Sequence, residues 1–478
     1  MGGVVAKNNK VVFKWLWILV AALIIIIGGV APDWPGLSHE GKMAILVLVA
    51  AVVMWATEAL PLPITALAAM ALIPMLGVQS LSAAWTSACN SSIMFFVGVF
   101  GFTTFLGSAT FPQRLIAKVL KAAKGKSSLV LLGFMVVCMV ISICMSNIAL
   151  TAIMLGFAAT VLEADRAVPG KSNLGRCFSM AIPFAVMIGG SLLPSGTPIN
   201  VVVIGLIEDN LGVTVTFTNW FFVMVIPCIL SLIATWFICI KVYKPEDISA
   251  EAVEAFCKTV DEMPKMEAKE WFNIAIIIVS IILWILSSWI TVLNTTVIAL
   301  FALALLFLPG TSMITASDYA HKSPWDILMM MMAVNSIVAG ISAQSAAIWI
   351  VNTLLGGLTT MPFIAMFVIA SLLLAIIHNF IPSGPPLAAL VTMPFVGLAV
   401  AQAGGDMNTG MITAMSLSVA IWCAWCFLVP LDSVLLVSYS YGYFRFGEMA
   451  KSGAPITVAL LVITCILLPM TCGFMGLP

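Results

Sequence analysis

The chain has 478 residues, of which 62% are apolar and only 8% charged, with equal numbers of basic and acidic side chains. A soluble domain carries roughly 25% charged residues, so this chain cannot cover a water-facing surface and its solvent must be mostly lipid. With zero net charge and no basic block beside aromatic residues, nucleic acid is excluded as an expected partner. The eleven cysteines are scattered singly through apolar stretches, and Cys423-x-x-Cys426 lies inside one of them without nearby partners. That pattern reads as packing rather than metal or redox chemistry.

A helix needs about 20 apolar residues to cross the hydrocarbon. In chain order, such spans are predicted near 11–31, 41–58, 61–77, 91–110, 177–208, 219–242, 271–291, 294–309, 325–343, 409–443 and 454–476. The first run, Val11 to Val30, is long enough to span and lacks a small-residue cleavage pattern, so a membrane helix is expected there rather than a cleaved signal. Two further apolar segments, 127–164 and 361–402, hold polar residues or prolines near their middles: Ser146 and Asn147 in one, His378, Asn379 and the run Pro382 to Pro386 in the other. Each has room for two half-length helices, and re-entrant hairpins are the economical reading, because non-helical backbone at membrane depth needs protein or water beside it.

Charge supports that count. With the N-terminus cytoplasmic, eleven crossings and two hairpins that do not cross, 19 of the 20 Lys and Arg fall on the cytoplasmic side and only Lys42 falls outside. Positive-inside bias is the main determinant of orientation. The expected protein is an all-α polytopic membrane protein, its N-terminus cytoplasmic and C-terminus outside, in a bacterial inner membrane. Segment 111–126 places Arg114, Lys118, Lys121 and Lys124 at helical spacing and reads as an amphipathic surface helix. The acidic and basic stretch 243–270 is too short for a domain and is read as a cytoplasmic linker, partly an interfacial helix, between two halves, 1–242 and 271–478.

The halves echo each other. Asn147 precedes Pro198 by 51 residues and Asn379 precedes Pro430 by 51, one offset of 232 relating both pairs. Because the charge count gives the two hairpins opposite openings, the halves read as inverted-topology repeats, and paired interruptions in such halves mark a secondary transporter's binding site. Helix N-termini exposed at these breaks favour anions. A membrane-embedded enzyme would want a nucleophile–base pair or metal cluster, and no His-Glu-x-x-His is present. A channel would want a continuous polar-lined pore, whereas the polar residues collect at two breaks.

These residues also carry a resemblance. The run from Trp55-Ala56-Thr57-Glu58 through Pro61-Leu62-Pro63-Ile64-Thr65, the Ser146-Asn147 tip, Gly189-Gly190-Ser191 and Gly196-Thr197-Pro198-Ile199-Asn200 are together similar to the divalent anion/sodium symporter family. The resemblance covers nearly the whole chain. It implies a homodimer whose protomers each hold a scaffold and a mobile transport domain working by an elevator-type motion. It further implies substrates among succinate, malate, 2-oxoglutarate, other small carboxylates or sulfate, and no cofactor beyond Na⁺. The implied substrate contacts are Ser146, Asn147, Ile148, Thr197 and Pro198 in the first half, and His378, Asn379, Phe380, Val429, Pro430 and Asp432 in the second. A first Na⁺ site is implied at Ser142, Ser146, Asn147 and Gly196. The family's second Ser-Asn-Thr tip has become His378-Asn379-Phe380, and its Thr-Pro-Pro-Asn has become Val429-Pro430-Leu431-Asp432. That loss of the second sodium pattern points to exchange of one dicarboxylate for another, with Na⁺-coupled symport as the alternative.

Ionisable groups inside a membrane are functional by default, since burying an Asp costs about 2.5–3.5 kcal/mol on insertion scales. His378 and Asp432 lie at the tip and the broken helix that the repeat alignment brings together, and are expected to be neighbours in the site. Glu58 reads as a turn residue, Met329 to Met332 as packing, and His39 and His321 as loop residues.

Overall fold

Turns capped by small polar residues divide the chain into helices. In this computed structural model, which describes residues 2–290, 292–350, 352–353, 356–379, 381, 384–404 and 409–474, the first half opens with α1 (Gly2–Val30), α2 (His39–Thr57), α3 (Leu62–Met75), α4 (Leu81–Ala88) and α5 (Ser91–Leu106). It continues with α6 (Phe111–Ala123), α7 (Ser127–Ile141), α8 (Asn147–Ala164), α9 (Asn173–Gly190), α10 (Pro198–Leu211) and α11 (Phe217–Tyr243). The linker contains α12 (Ala250–Asp261). The second half runs α13 (Ala268–Leu286), α14 (Thr295–Leu306), α15 (Ala316–Lys322), α16 (Trp325–Ala343), α17 (Ala346–Ile350) and α18 (Gly356–Thr359). It ends with α19 (Phe363–Ile377), α20 (Gly384–Gln402), α21 (Thr409–Ala424), α22 (Ser433–Ser440) and α23 (Met449–Phe474).

Nine helical stretches among the described residues are long and apolar enough to cross a bilayer. Shorter apolar helices include α7 and α19, each 15 residues long. At 1.5 Å per residue such a helix reaches about 22 Å, short of the roughly 30 Å hydrocarbon. They begin the two segments expected to be hairpins, whose second parts, α8 and α20, have 18 and 19 residues and are among the nine stretches long enough to span. The predicted spans 177–208 and 409–443 are each interrupted, between Gly190 and Pro198 and between Ala424 and Ser433. The short helices α4, α17 and α18 lie in stretches that hydropathy left as connections.

The hairpin tips are built differently. Asn147 is the first residue of α8, while Asn379 follows the end of α19 and precedes α20 by five residues. Pro385 and Pro386 account for the late start of α20, because proline fits the first helical turn, where its missing N–H is not needed. Phe380, Pro382 and Ser383 lie outside the described residues.

Packing draws the two halves together. Helices α11 and α23, α5 and α14, and α3 and α16 pair across them, and α10 lies against both α20 and α21. Along α1, Phe13, Trp15, Leu16, Leu19, Ile26 and Ile27 are exposed. A single surface helix that apolar would not persist in water, and lipid accounts for it.

Candidate binding site at the helix breaks

The break after α9 follows from close packing. Gly196 lies against the Gly190 carbonyl, where a Cβ would come within 2.3 Å of its oxygen, so only glycine lets the chain fold back there. Asn200 then donates its amide to the carbonyls of Gly190 and Leu193, both at 2.9 Å, bridging the broken ends. Ser195 Oγ donates to Ile143 O at 2.9 Å and ties this break to the first hairpin tip. Trp425 Nε1 donates to Met187 O and to Ser191 Oγ, which brings the second break against the first. The breaks and the first tip thus form one locus although they are far apart in sequence.

At this locus is a cavity of about 250 Å³. Of the residues expected at the site, Ser146, Asn147, Ile148, Gly196, Thr197, Pro198 and Asp432 line it. The N-termini of α8, α10, α20 and α22 meet on its wall, as does the start of α16. Elsewhere, Ser38, Ser80, Ser172, Thr216 and Ser249 cap their helices with side-chain oxygens. Ser146 and Thr197 are of the same residue types and occupy the same position, yet neither caps α8 or α10 through its side chain. The first-turn N–H groups of those helices are left for another acceptor. At α22 the chain supplies its own anion: Asp432 Oδ1 accepts from Val434 N at 2.9 Å.

Among the described lining residues there is no Lys or Arg, and Asp326 and Asp432 are the only acidic ones. Asp326 was not expected from the sequence. Its signal was available, as an acidic residue in the first turn of a predicted span just after Pro324. Thr103, Ser195 and Ser433 add neutral hydroxyls, and Met330 and Cys423, which read as packing, also reach the wall.

Four expected substrate contacts lie elsewhere, as does Ser142 of the implied Na⁺ site. His378, Asn379, Val429 and Pro430 are not part of the cavity lining. Asn379 donates to Ala375 O at 2.6 Å and its Oδ1 accepts from Cys426 Sγ at 3.4 Å, so both ends of the amide are used within the protein. His378 is buried behind Asp432, with Nε2 at 3.9 Å from Asp432 Oδ2 and Nδ1 at 2.9 Å from Trp422 O. The two ionisable groups are therefore neighbours, with only Asp432 reaching the cavity. Phe380 lies outside the described residues.

The residues of the implied Na⁺ site stand close together. Ser142 Oγ abuts Gly189, Asn147 abuts Gly190, and Gly196 abuts the Gly190 carbonyl. Asn147 Oδ1 is buried with no hydrogen-bond partner among the described residues, and an uncharged oxygen in that state suits a hard cation. Transition-metal ligation has no such basis, because among the described residues no three His, Cys, Asp or Glu cluster as ligands.

Residues 11–473 match the family described as the sodium:sulfate symporter transmembrane region. The chain is 22% identical to the sodium-dependent high-affinity dicarboxylate transporter 3 of Caenorhabditis elegans, across 93% of this chain and 85% of that protein. It is 24% identical to the sodium-dependent dicarboxylate transporter SdcS of Staphylococcus saprophyticus, across 67% of this chain and 65% of that one. Among solved structures, the YdaH transporter of Alcanivorax borkumensis shares the fold at 15% identity and a TM-score of 0.54, with 98% of each chain covered. The family match spans nearly the whole chain, including both breaks and both hairpins, and the chain belongs to the sodium:sulfate symporter family.

Proposed function

We propose that this protein is a secondary transporter of small dicarboxylates that exchanges one such anion for another across the bilayer. The observation that carries this reading is the cavity where the uncapped N-termini of α8 and α10 converge without a basic side chain. Helix N-termini act as partial positive charges of about half a unit, and two of them match the two carboxylates of a short diacid. The substrates in the names of the sodium-dependent relatives agree with that chemistry. In this reading Ser146, Asn147 and Thr197 contact the anion, and Asn379 supports the site from behind.

The cavity is lined at Leu62, Pro324 and Asp326, which begin spans from the cytoplasmic side in the topology above, and this supports reading it as inward-facing. Alternate exposure would follow from elevator-type movement of the breaks and hairpins against the remaining helices, in a homodimer of inverted-repeat protomers. The altered second tip favours exchange over net uptake. Na⁺-coupled symport is the second reading, supported by the unpartnered Asn147 Oδ1 and by the sodium dependence named in the relatives.

The test is uptake of labelled succinate into proteoliposomes preloaded with succinate, malate or 2-oxoglutarate. Exchange predicts stimulation by internal dicarboxylate that persists in Na⁺-free buffer. A steep requirement for external Na⁺ with no effect of internal substrate would establish symport instead.

A further inference from the structure

The carboxylate on the cavity wall and the histidine behind it share a protonation problem. Trp422 O can only accept a hydrogen bond, so His378 Nδ1, 2.9 Å away, carries a hydrogen. In a neutral imidazole Nε2 is then a bare acceptor. It is fully buried, has no hydrogen-bond partner among the described residues, and faces Asp432 Oδ2 at 3.9 Å. Two acceptors thus confront each other across a buried gap. One added proton resolves the conflict: on Nε2 it makes an ion pair, and on Oδ2 it makes a donor aimed at the imidazole.

Among the described residues, the Trp425 backbone also meets the imidazole, and its carbonyl can only accept. The titratable groups near the pair are Cys423 at the end of α21, Cys426 just beyond it, and Asp326 across the cavity on α16. Cys426 is already engaged with Asn379 Oδ1 and Val429 O. The lining residues contributed by α3, α5, α8, α10, α20 and α22 carry no ionisable side chain, Asp432 being the cap before α22. With the pair unprotonated, an incoming dianion meets two carboxylates and no cationic side chain, and like charges at close range in a weakly screened site oppose binding.

We propose that the His378–Asp432 pair is a proton site coupled to the transported anion. The dicarboxylate binds to the form in which the pair holds its added proton, taken from water in the cavity, and the proton returns to water when the anion leaves. This inference rests on the dicarboxylate reading above and deepens it. Exchange then carries a proton with the anion in each direction, which offsets part of the charge moved.

The deciding experiment mixes weakly buffered, detergent-purified protein with succinate, at a pH where the diacid is fully ionised, and follows a pH-indicator dye. About one proton should be taken up per succinate bound, and affinity should weaken toward about tenfold per further pH unit. Proton uptake should be lost in Asp432→Asn. Succinate binding without proton uptake, with an affinity flat across pH, would overturn the coupling and leave the dicarboxylate reading intact. Undiminished uptake in Asp432→Asn would overturn the assignment to this pair. The wild-type measurement does not depend on how any variant folds. Failure of both succinate and 2-oxoglutarate to bind or exchange at any pH would defeat the dicarboxylate reading itself, and the coupling with it.

Discussion

Asn147 and Asn379 stand at matched positions along the chain and meet different fates. Asn147 lines the cavity and has a buried Oδ1 without a hydrogen-bond partner among the described residues, whereas the amide of Asn379 is spent on Ala375 O and Cys426 Sγ. Asn147→Ala should therefore lower exchange at least about tenfold with no loss of folded protein, since a group aimed at a ligand contributes on the order of 1.5–3 kcal/mol to a charged partner. Asn379→Ala should retain exchange and lose about 1 kcal/mol of stability, the net worth of an ordinary hydrogen bond. Proteoliposome exchange and thermal unfolding in detergent, run side by side on the two variants, check the contrast. The importance of both asparagines could be argued from their shared offset, but their unequal roles could not. What separates them is the start of α20, delayed by prolines, and a cysteine thiol that reaches Asn379 from the break after α21. Lys42 offers a similar lesson. As the only basic residue assigned to the outside, it looked like an exception, and its ammonium proves to be buried against Asp33 Oδ1 and Ala31 O, both at 2.7 Å. The hydrogen bond from Lys42, followed by that from His39, holds the Asp33 carboxyl below its ordinary value.

At the scale of elements, the expected linker 243–270 holds the helix α12, and its carboxylates also cap helices on the body. Asp247 accepts from Ser127 N at the start of α7, Glu246 from Leu174 N at the start of α9, and Glu270 from Thr110 N and Phe111 N at the start of α6. Each places negative charge at a positive helix end. Helix α6, expected to lie on the membrane surface, buries Ile116, Ala117 and Leu120 and packs against α7 and α12. Because Glu270 is buried and serves backbone donors, Glu270→Ala should cost about 1–3 kcal/mol, the penalty for leaving buried donors unpaired. Asp261→Ala, which removes only the exposed pair with Lys121, should cost less than about 1 kcal/mol. Thermal unfolding of the two variants in detergent measures the difference. Hydropathy and interruptions revealed the hairpins and breaks because lipid forces nearly every span to be apolar and makes each polar gap conspicuous. The same criterion is blind to capping between distant segments, since Glu246, Asp247 and Glu270 look alike as solvated charges until the fold brings N-termini to them.

For the molecule as a whole, orientation is the property most open to direct test. Of the eleven cysteines, Cys89 is exposed and the other ten are buried, which makes it a native reporter. Cys89 follows α4 in a connection that the charge count assigns to the outside. A membrane-impermeant maleimide added to intact cells should label the wild-type protein at this residue, and Cys89→Ser should abolish the labelling. Labelling only after permeabilisation would reverse the orientation. Overall architecture was legible because burial in lipid writes itself into composition, while the shape of the cavity depends on contacts such as Trp425 with Met187 O that join residues 238 positions apart. One consequence concerns access. Helix α12 is amphipathic and water-facing on one side, with Glu251, Glu254 and Lys258 exposed or partly so. Its other side rests on α8, with Phe256 ring to ring against Phe157, and α8 begins at the cavity's anion-facing tip. A binding protein that gripped α12 from the aqueous phase would hold the far end of the helix whose first turn forms the cavity wall. The transporter thus carries an external handle on its interior, and an antibody fragment raised against a dozen soluble residues could arrest the cycle without entering the membrane or competing for the anion.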